Sequence, residues 1–236
     1  FASSRWDLVA VIRDQRPPAR AEHAAAIVGR FMYIMGGVSA DTAGASRVTS
    51  FVDVWSFDLD VGEWRRVFDD VSSVGSYRLP TRGTASVAIA AEDSIYLLGG
   101  LQTGIALRTD GIAVGRFRPQ RRTLTEVENV RGTPPADRVY AAAATIDDTR
   151  IALMGGYAFA EDGQATFFDD LWILDVAEPR WTRIETSRPL PVLDSHSMSV
   201  VGSEIVIVFG WNDAQDAGSA DVWLHNVDSG ETAVVP

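Results

Sequence analysis

The sequence contains no cysteine, so it can form neither a disulfide bond nor a thiolate metal or catalytic site. It also contains no lysine, and all 21 basic residues are arginine, which indicates a compositional bias rather than a functional choice. No apolar run approaches the roughly 18 residues that a membrane-spanning helix needs. These absences argue against a disulfide-stapled scaffold and against membrane insertion. An intracellular compartment is the preferred expectation.

The chain is acidic, with 32 Asp and Glu residues and a net charge of −11. Its arginines are dispersed, so a nucleic-acid backbone or an anionic membrane surface is a poor partner. A protein partner that presents a basic or neutral surface is favoured instead. The 236 residues are 46% hydrophobic and contain no Ser/Gly-rich linker, which predicts a single domain over residues 1–236.

Short apolar runs separated by turn residues predict four strands of one meandering sheet between Arg20 and Trp64. The markers of this stretch recur, which indicates an internal repeat. A glycine doublet ends the second strand, an aspartate and a tryptophan open the third, and a tryptophan leads the fourth. The doublets are Gly36-Gly37, Gly99-Gly100, Gly155-Gly156 and, weakened, Gly210-Trp211. The other markers are Asp53 and Trp55, Asp170 and Trp172, Asp221 and Trp223, a degenerate Asp110, and then Trp64 and Trp181.

This combination of a glycine doublet, an Asp-x-Trp and a spaced tryptophan resembles the kelch repeat, and four copies cover nearly the whole chain. The resemblance implies an all-β fold, a β-propeller of radially packed four-stranded blades. Blades are expected at about residues 20–68, 82–127, 138–185 and 195–235. Residues 4–12 are expected to form the outer strand of a further blade.

Four complete blades and one additional strand leave three arrangements open. The chain is a segment of a longer propeller, a four-bladed ring with a strand added outside, or an arc completed by another chain. The first is preferred, because residues 4–12 start inside a blade. An open arc would leave apolar blade faces in water, so the remainder of its own propeller is one expected partner.

The packing of a propeller makes two further predictions. Each blade is covered on both faces, so the runs Ile95–Leu98, Ile151–Met154 and Ile205–Phe209 should be buried on both sides. Small residues should lie where the sheets converge, as in the alanine-rich innermost strands. The long connections at 38–52, 101–109, 157–169 and 211–220, together with those between blades, should emerge on one face. We take this loop face as the expected binding surface.

Arginines near the start of the first three blades, Arg20, Arg82 and Arg138, are expected to ring the mouth of the central channel with His23 and His196, whereas Asp194 breaks the pattern. Three converging guanidinium groups would suit an anion or a carboxylate. The preferred interpretation is structural pairing, because Asp53, Asp110, Asp170 and Asp221 end the long loops of the same face, one in each blade.

The sequence contains no motif that is typical of catalysis or of cofactor binding. The three histidines have no ligand spacing, and there is no phosphate loop, nucleophile elbow or complete calcium loop, so no catalytic residue, metal or cofactor is predicted. Some kelch-type propellers are enzymes, and one alternative is a sugar-processing enzyme similar to sialic-acid mutarotases, in which Arg20, Arg82 and His23 would act.

The preferred function is a non-catalytic scaffold that binds another protein through the loop face. The resemblance implies this mode, and the loops offer aromatic and arginine anchors of the kind that protein-binding patches use. The expected anchors are Tyr77, Arg78, Tyr157, Phe159 and Trp211. A second alternative is an architectural subunit of a larger complex.

Overall fold

The computed structural model describes residues 15–40, 48–68, 86–89, 93–100, 111–160, 163–212 and 215–235. Over these ranges the chain forms strands, turns and irregular segments without a helix, and accordingly it has no helix there that could cross a membrane. The expected outer strand at residues 4–12 lies outside the described residues, and so do Tyr77, Arg78, Arg82 and Asp110.

Four antiparallel four-stranded sheets follow one another along the chain, each a meander in chain order. The first contains β1 (Ala24–Val28), β2 (Phe31–Met35), β5 (Val54–Asp58) and β6 (Glu63–Phe68). The second contains β7 (Ser86–Ile89), β8 (Ile95–Leu98), β9 (Val114–Arg118) and β10 (Thr123–Glu126). The third contains β11 (Ala142–Thr145), β12 (Arg150–Met154), β15 (Leu171–Asp175) and β16 (Arg180–Ile184). The fourth contains β18 (Ser197–Val201), β19 (Glu204–Val208), β22 (Val222–Asn226) and β23 (Thr232–Val235).

The innermost strands bring the sheets together. β1 contacts β7, β7 contacts β11, and β11 contacts β18. Small side chains permit this close approach, since Ala24 and Ala26 of β1 and Ala142 and Ala144 of β11 are buried. The all-β radial arrangement that the repeats predict is confirmed, whereas the total number of blades stays a prediction.

Apolar side chains fill the space between successive sheets in three clusters. The first lies between the first two sheets and includes Tyr33, Met35 and Phe117. The second lies between the second and third sheets, with Leu98, Leu153 and the Trp172–Trp181 pair. The third lies between the third and fourth sheets and includes Met154, Leu193 and Ile207. The second and third sheets therefore each contribute side chains from both faces to the core.

Two-sided burial holds for β8 and for most of β12, as expected, because all side chains of Ile95–Leu98 and Ile151–Met154 are buried. It does not hold for the fourth sheet. In β19 only Ile205 and Ile207 are buried, and the intervening Val206 is half-buried. Within the described residues Ile205–Phe209 is therefore buried on one side only, because only the third sheet packs against the fourth.

The glycine doublets let neighbouring backbones approach. A Cβ on Gly156 would lie 2.4 Å from the carbonyl oxygen of Val139 in its own repeat. A Cβ on Gly155 would lie 2.5 Å from the carbonyl oxygen of Leu193 at the entry to the next sheet, and both glycines have positive φ angles. These positions therefore require glycine for space as well as for backbone conformation.

The fourth copy of the doublet is Phe209-Gly210, not Gly210-Trp211 as the sequence suggests. Phe209 has a φ of 60°, close to the 65° and 66° of Gly99 and Gly155, and Gly210 has the 94° expected of a second glycine. Phe209 is also 63% exposed. A bulky residue in this conformation is unusual, and the fourth sheet therefore departs from its predecessors at the point where they contact the next sheet.

Candidate functional site

Among the described residues, short hairpins rise from one end of three of the sheets. They are formed by β3 (Val38–Ala40) with β4 (Val48–Ser50), by β13 (Tyr157–Phe159) with β14 (Ala165–Phe167), and by β20 (Trp211–Asn212) with β21 (Ala217–Gly218) and β17 (Leu193–Asp194). Backbone pairing ties each hairpin to the segment before its innermost strand, through Ala21–Val38, Val139–Tyr157 and Asp194–Trp211. Three of the long connections expected on the loop face therefore contain hydrogen-bonded β structure in their described parts. We call this face the hairpin face.

Below the first hairpin, Arg20 holds together the entry of the first sheet. Its guanidinium donates to the Asp53 carboxylate at 2.6 and 3.1 Å and to the Gly36 carbonyl oxygen at 2.9 Å. Phe51 lies over the guanidinium, 3.9 Å from Cζ to the ring centroid, and the Trp55 indole donates to Asp53 at 2.8 Å. Burial alone would raise the pKa of Asp53, but the hydrogen bonds from Arg20 and Trp55 and the charge of Arg20 lower it.

The third sheet repeats this arrangement around Arg138. Arg138 donates to Asp170 at 2.5 and 3.0 Å and to the Gly155 carbonyl oxygen at 3.1 Å. Phe168 covers its guanidinium at 4.1 Å, and the Trp172 indole donates to Asp170 at 2.7 Å. The pKa of Asp170 is lowered as well, because these bonds and the charge of Arg138 outweigh burial.

These contacts bear on the arginines expected at the channel mouth. The side chains of Arg20 and Arg138 are 3% and 0% exposed, and both are bound to carboxylates of their own blades. They are therefore not presented as a pair of free guanidinium groups for an external anion. The geometry of these two matches the structural pairing interpretation and gives no support to a sugar site that uses Arg20.

The fourth sheet lacks the arginine. The equivalent position is Leu193 rather than Asp194, because Gly156 donates to the Leu193 carbonyl oxygen as Gly100 does to that of Arg138. The Leu193 side chain is buried, Asp221 is exposed, and the buried Trp223 indole N–H has no hydrogen-bond partner. Within the described part of the chain, this sheet therefore has the aspartate and the tryptophan of the network without the cation that links them.

The histidines do not assemble into a site. His23 and His196 occupy equivalent places, each packed against the second glycine of its repeat, while Nδ1 of His225 lies 2.9 Å from the Thr232 hydroxyl. Burial lowers the pKa of all three, in the case of His196 to about 4, and the charge of Arg20 adds to the effect at His23. The described residues contain no group of three or more His, Cys, Asp or Glu that could hold a metal ion.

An aromatic cluster lies on the second of the hairpins. The rings of Tyr140 and Tyr157 are stacked with centroids 5.5 Å apart, and Phe159 and Phe167 each contact Tyr157 at 5.1 Å. At the other end of the cluster, the Tyr140 hydroxyl donates to Glu22 of the first repeat at 3.3 Å. Tyr157 and Phe159 are expected anchors. Tyr140 was not predicted, because its sequence neighbours are those of a strand entry.

The third expected anchor that the structure describes is Trp211 on the last hairpin, which is 44% exposed. Phe159 is exposed to a similar extent, at 47%. A cleft of about 280 Å³ lies between the end of the third sheet and the segment that follows it, lined by Asp169, Arg183, Glu185, Arg188 and Leu190 among others. No sequence pattern indicates this cleft, since its lining combines a strand with a connecting segment.

Together, the repeated meanders, their convergence on alanine-rich strands and the Arg–Asp–Trp networks define a β-propeller built from sequence repeats. The profile described as KLHDC2/KLHL20/DRC7 Kelch-repeats domain matches residues 78–233, and the one described as Kelch motif matches residues 19–67. The chain belongs to the kelch-repeat family.

Curated relatives carry the same repeats inside longer proteins. The chain is 28% identical over 84% of its length to acyl-CoA-binding domain-containing protein 6 of Oryza sativa subsp. japonica, covering 28% of that protein. It is 24% identical over 92% of its length to F-box/kelch-repeat protein At1g51550 of Arabidopsis thaliana, covering 45%. It is 25% identical over 91% of its length to beta-scruin of Limulus polyphemus, covering 21%. The chain thus spans less than half the length of these relatives.

Proposed function

We propose that this chain is a non-catalytic scaffold that binds another protein through the hairpin face. The observation that carries the proposal is the pairing of exposed aromatic side chains with a rigid support. Phe159 and Trp211 are exposed, yet each lies on a hairpin whose backbone is hydrogen-bonded to the sheet entry. Because such anchors lose little conformational entropy on binding, they suit protein recognition.

The surroundings of these anchors favour a partner of a particular charge. Asp169, Asp194 and Asp221 lie close to the hairpins in the chain, and the whole chain has a net charge of −11. Arg20 and Arg138, which could have offset these acids at the surface, are buried in their own networks. A basic or neutral partner surface therefore meets less repulsion than an acidic one.

The relatives support a role in assemblies without defining the partner. One is named for an F-box joined to kelch repeats and another for an acyl-CoA-binding domain, so in these relatives the repeats accompany other modules. Repeat scaffolds commonly provide extended binding surfaces. An architectural subunit would also fit these names, but it would not require exposed aromatic anchors on the hairpin face.

Affinity capture with matched variants tests the proposal. Proteins cross-linked to the wild type are expected to be lost with the Phe159→Ala and Trp211→Ala double variant, and with a triple variant that adds Tyr157→Ala. The control is Leu59→Ala with Val61→Ala, which removes two exposed apolar side chains from the turn at the opposite end of the first sheet. Equal capture by all variants, with unchanged circular dichroism, would refute a role for the hairpin face.

A further inference from the structure

The turn between the third and fourth strands of the second sheet is basic, although the chain as a whole is acidic. Arginines are dispersed over most of the sequence, but four of the 21 lie within residues 116–122. Arg121 and Arg122 are exposed, and Arg118 is half-buried. Because this turn joins β9 to β10 in an antiparallel meander, it lies at the end of the sheet opposite the hairpin face.

The equivalent turns of the other sheets begin with a residue of a different kind. The last residue of the third strand is Asp58, Asp175 and Asn226 in the first, third and fourth sheets. Each of these side chains accepts hydrogen bonds from two backbone N–H groups of its own turn. The second sheet has Arg118 at this position, which cannot accept a hydrogen bond. The basic side chain therefore replaces a residue that stabilises the turn elsewhere in the repeat.

The charge of the whole turn is reversed as well. Residues 58–63 contain three acids and no base, residues 175–180 contain two acids and one arginine, and residues 226–231 contain two acids and no base. Residues 118–123 contain three arginines and no acid. We call this segment the basic turn. Its charge is a property of one blade and not a requirement of the fold.

The backbone of the basic turn is also less favourable than that of its counterparts. Arg122 has a φ of 51° at the position that Gly62 and Gly230 occupy with φ angles of 69° and 74°. A residue with a side chain is disfavoured in this left-handed conformation. Arg122 is thus retained at a cost in stability, and strained positions of this kind concentrate at functional sites.

The guanidinium groups of the basic turn are not neutralised within the chain. In the part of the chain that the structure describes, Arg118, Arg121 and Arg122 form no ion pair. Arg122 instead donates to the Val67 carbonyl oxygen of the first sheet. Arg116 is not counted in the basic turn, because its Nε donates to the Ser94 hydroxyl at 3.2 Å, and that hydroxyl donates to Asp93.

These cations are spread over both faces of the second sheet. Arg122 reaches the first sheet through Val67. Arg118 follows Phe117, which packs between the first and second sheets, so strand alternation directs Arg118 toward the third sheet. Several carboxylates spaced along a chain match such an arrangement better than one phosphate group, which needs converging donors.

We propose that the basic turn is a docking site for an acidic segment of a protein, whose carboxylates pair with Arg118, Arg121 and Arg122. A short segment contacts only the turn, whereas a nucleic acid or an anionic membrane surface would also meet the acidic remainder of a chain with a net charge of −11. This site goes beyond the function proposed for the hairpin face and lies at the other end of the sheets.

Fluorescence anisotropy with fluorescein-labelled hexaglutamate amide as the probe tests the proposal. Saturable binding is expected, and raising the ionic strength from about 50 to about 500 mM should weaken it about tenfold. Arg121→Gln with Arg122→Gly should weaken binding by at least about tenfold, because two charge-assisted pairs are lost. Arg180→Gln, which removes an exposed arginine from the equivalent turn of the third sheet, should leave binding unchanged.

Arg122→Gly alone separates docking from an internal role. It should weaken binding about threefold without lowering the thermal midpoint, because glycine suits the left-handed conformation. A lowered midpoint with unchanged binding would instead make Arg122 an internal contact to Val67 and would overturn its place in the site. Phe159→Ala with Trp211→Ala should bind the peptide as the wild type does, so failure at the hairpin face and failure at the basic turn are distinguishable.

Three further outcomes would overturn the proposal. The first is the absence of saturable binding to hexaglutamate. The second is equal weakening by Arg180→Gln, which would indicate attraction to any exposed arginine. The third is tighter binding of a phosphoserine peptide, a single-stranded oligonucleotide or phosphatidylserine vesicles than of hexaglutamate, which would assign the basic turn to another class of ligand.

Discussion

The buried Arg–Asp pairs matter for stability mainly because each charge keeps the other from being buried without a partner. Taking a guanidinium and a carboxylate out of water is costly, and their attraction offsets the cost only when the remaining donors are also bonded. Arg138 meets that condition, with bonds to Asp170, Gly155 and Ala136 and with Phe168 over its plane. Removing one partner would leave the other charge buried and alone.

Arg138→Ala is therefore expected to lower the free energy of unfolding by about 3–5 kcal/mol, the range for breaking a buried pair from one side. Urea denaturation would measure this. The matched control is Arg131→Ala, which breaks the exposed pair between Arg131 and Glu178, 2.8 Å apart. Exposed pairs contribute about 0–1 kcal/mol. Similar losses for the two variants would show that the Arg138 network is not a structural element.

His196 makes stability depend on pH in a defined window. The ring is buried, neither ring nitrogen has a hydrogen-bond partner, and burial lowers the pKa from 6.5 to about 4. Between these two values the unfolded chain binds a proton that the folded chain does not, so stability falls as the pH falls from 6.5 to about 4. At about 1.4 kcal/mol per pKa unit, the loss approaches roughly 3 kcal/mol.

His196→Leu is expected to flatten this part of the stability curve while retaining stability at pH 7. Unfolding measured by denaturant at several pH values would show it. His23 and His225 shift in the same direction, so a smaller slope should remain. Asp53 and Asp170 do not contribute to this slope. Their lowered pKa values reduce stability only near and below pH 3.8, where these carboxylates bind protons in the unfolded chain. An unchanged slope in His196→Leu would contradict the prediction.

At the scale of the elements, close contact between sheets depends on glycine at one position of the repeat. Gly155 and Gly202 have nearly equal φ angles, 66° and 62°, but different surroundings. A Cβ on Gly155 would lie 2.5 Å from the Leu193 carbonyl oxygen and 2.8 Å from His196, whereas a Cβ on Gly202 would have no atom within 4 Å. A comparison of substitutions at Gly155 and Gly202 therefore separates the free-energy cost of the backbone conformation from the cost of pushing the third and fourth sheets apart.

Gly202→Ala is expected to lower the free energy of unfolding by about 1 kcal/mol, the cost of a left-handed conformation for a residue with a side chain. Gly155→Ala should lose about 2–4 kcal/mol, because the third and fourth sheets must also move apart. Thermal or urea unfolding would compare them. Equal losses would mean that the two sheets adjust without cost and that glycine is needed there only for its φ angle.

The sequence predicts the long strands well because their apolar runs and glycine doublets are local signals. It does not predict the hairpins, since strands of two or three residues such as Trp211–Asn212 are too short to show a period. The sequence analysis also assigns the position that lacks the arginine to Asp194, one residue after the true position at Leu193. A leucine at this position resembles an ordinary core residue. The stacking of Tyr140 on Tyr157 arises from a tertiary contact, and no regular spacing in the sequence indicates it.

At the scale of the whole molecule, the fourth sheet has one face without a described neighbour. Cross-strand pairing places Ser197, Val208, Val222 and Val235 in one row and Ser199, Val206, Leu224 and Ala233 in the next. The corresponding face of the third sheet, with Ala152, Met154 and Leu171, is covered by the fourth sheet. An apolar face of this size is unusual on a protein surface.

We expect this face to be covered by a further sheet of the same propeller, with the exposed ring of Phe209 in the contact. Leu224→Asn would then lower the free energy of unfolding by about 2 kcal/mol, because a polar amide would be buried without a partner. Ile205→Asn, on the buried face of the same sheet, is the positive control, and Leu59→Asn, in an exposed turn, is the neutral one. Denaturant unfolding would be paired with solution scattering, which reports whether the particle is larger than one chain with four blades. A change within about 0.5 kcal/mol, as for an exposed site, would show that the fourth sheet ends the stack and leaves its valine rows in water.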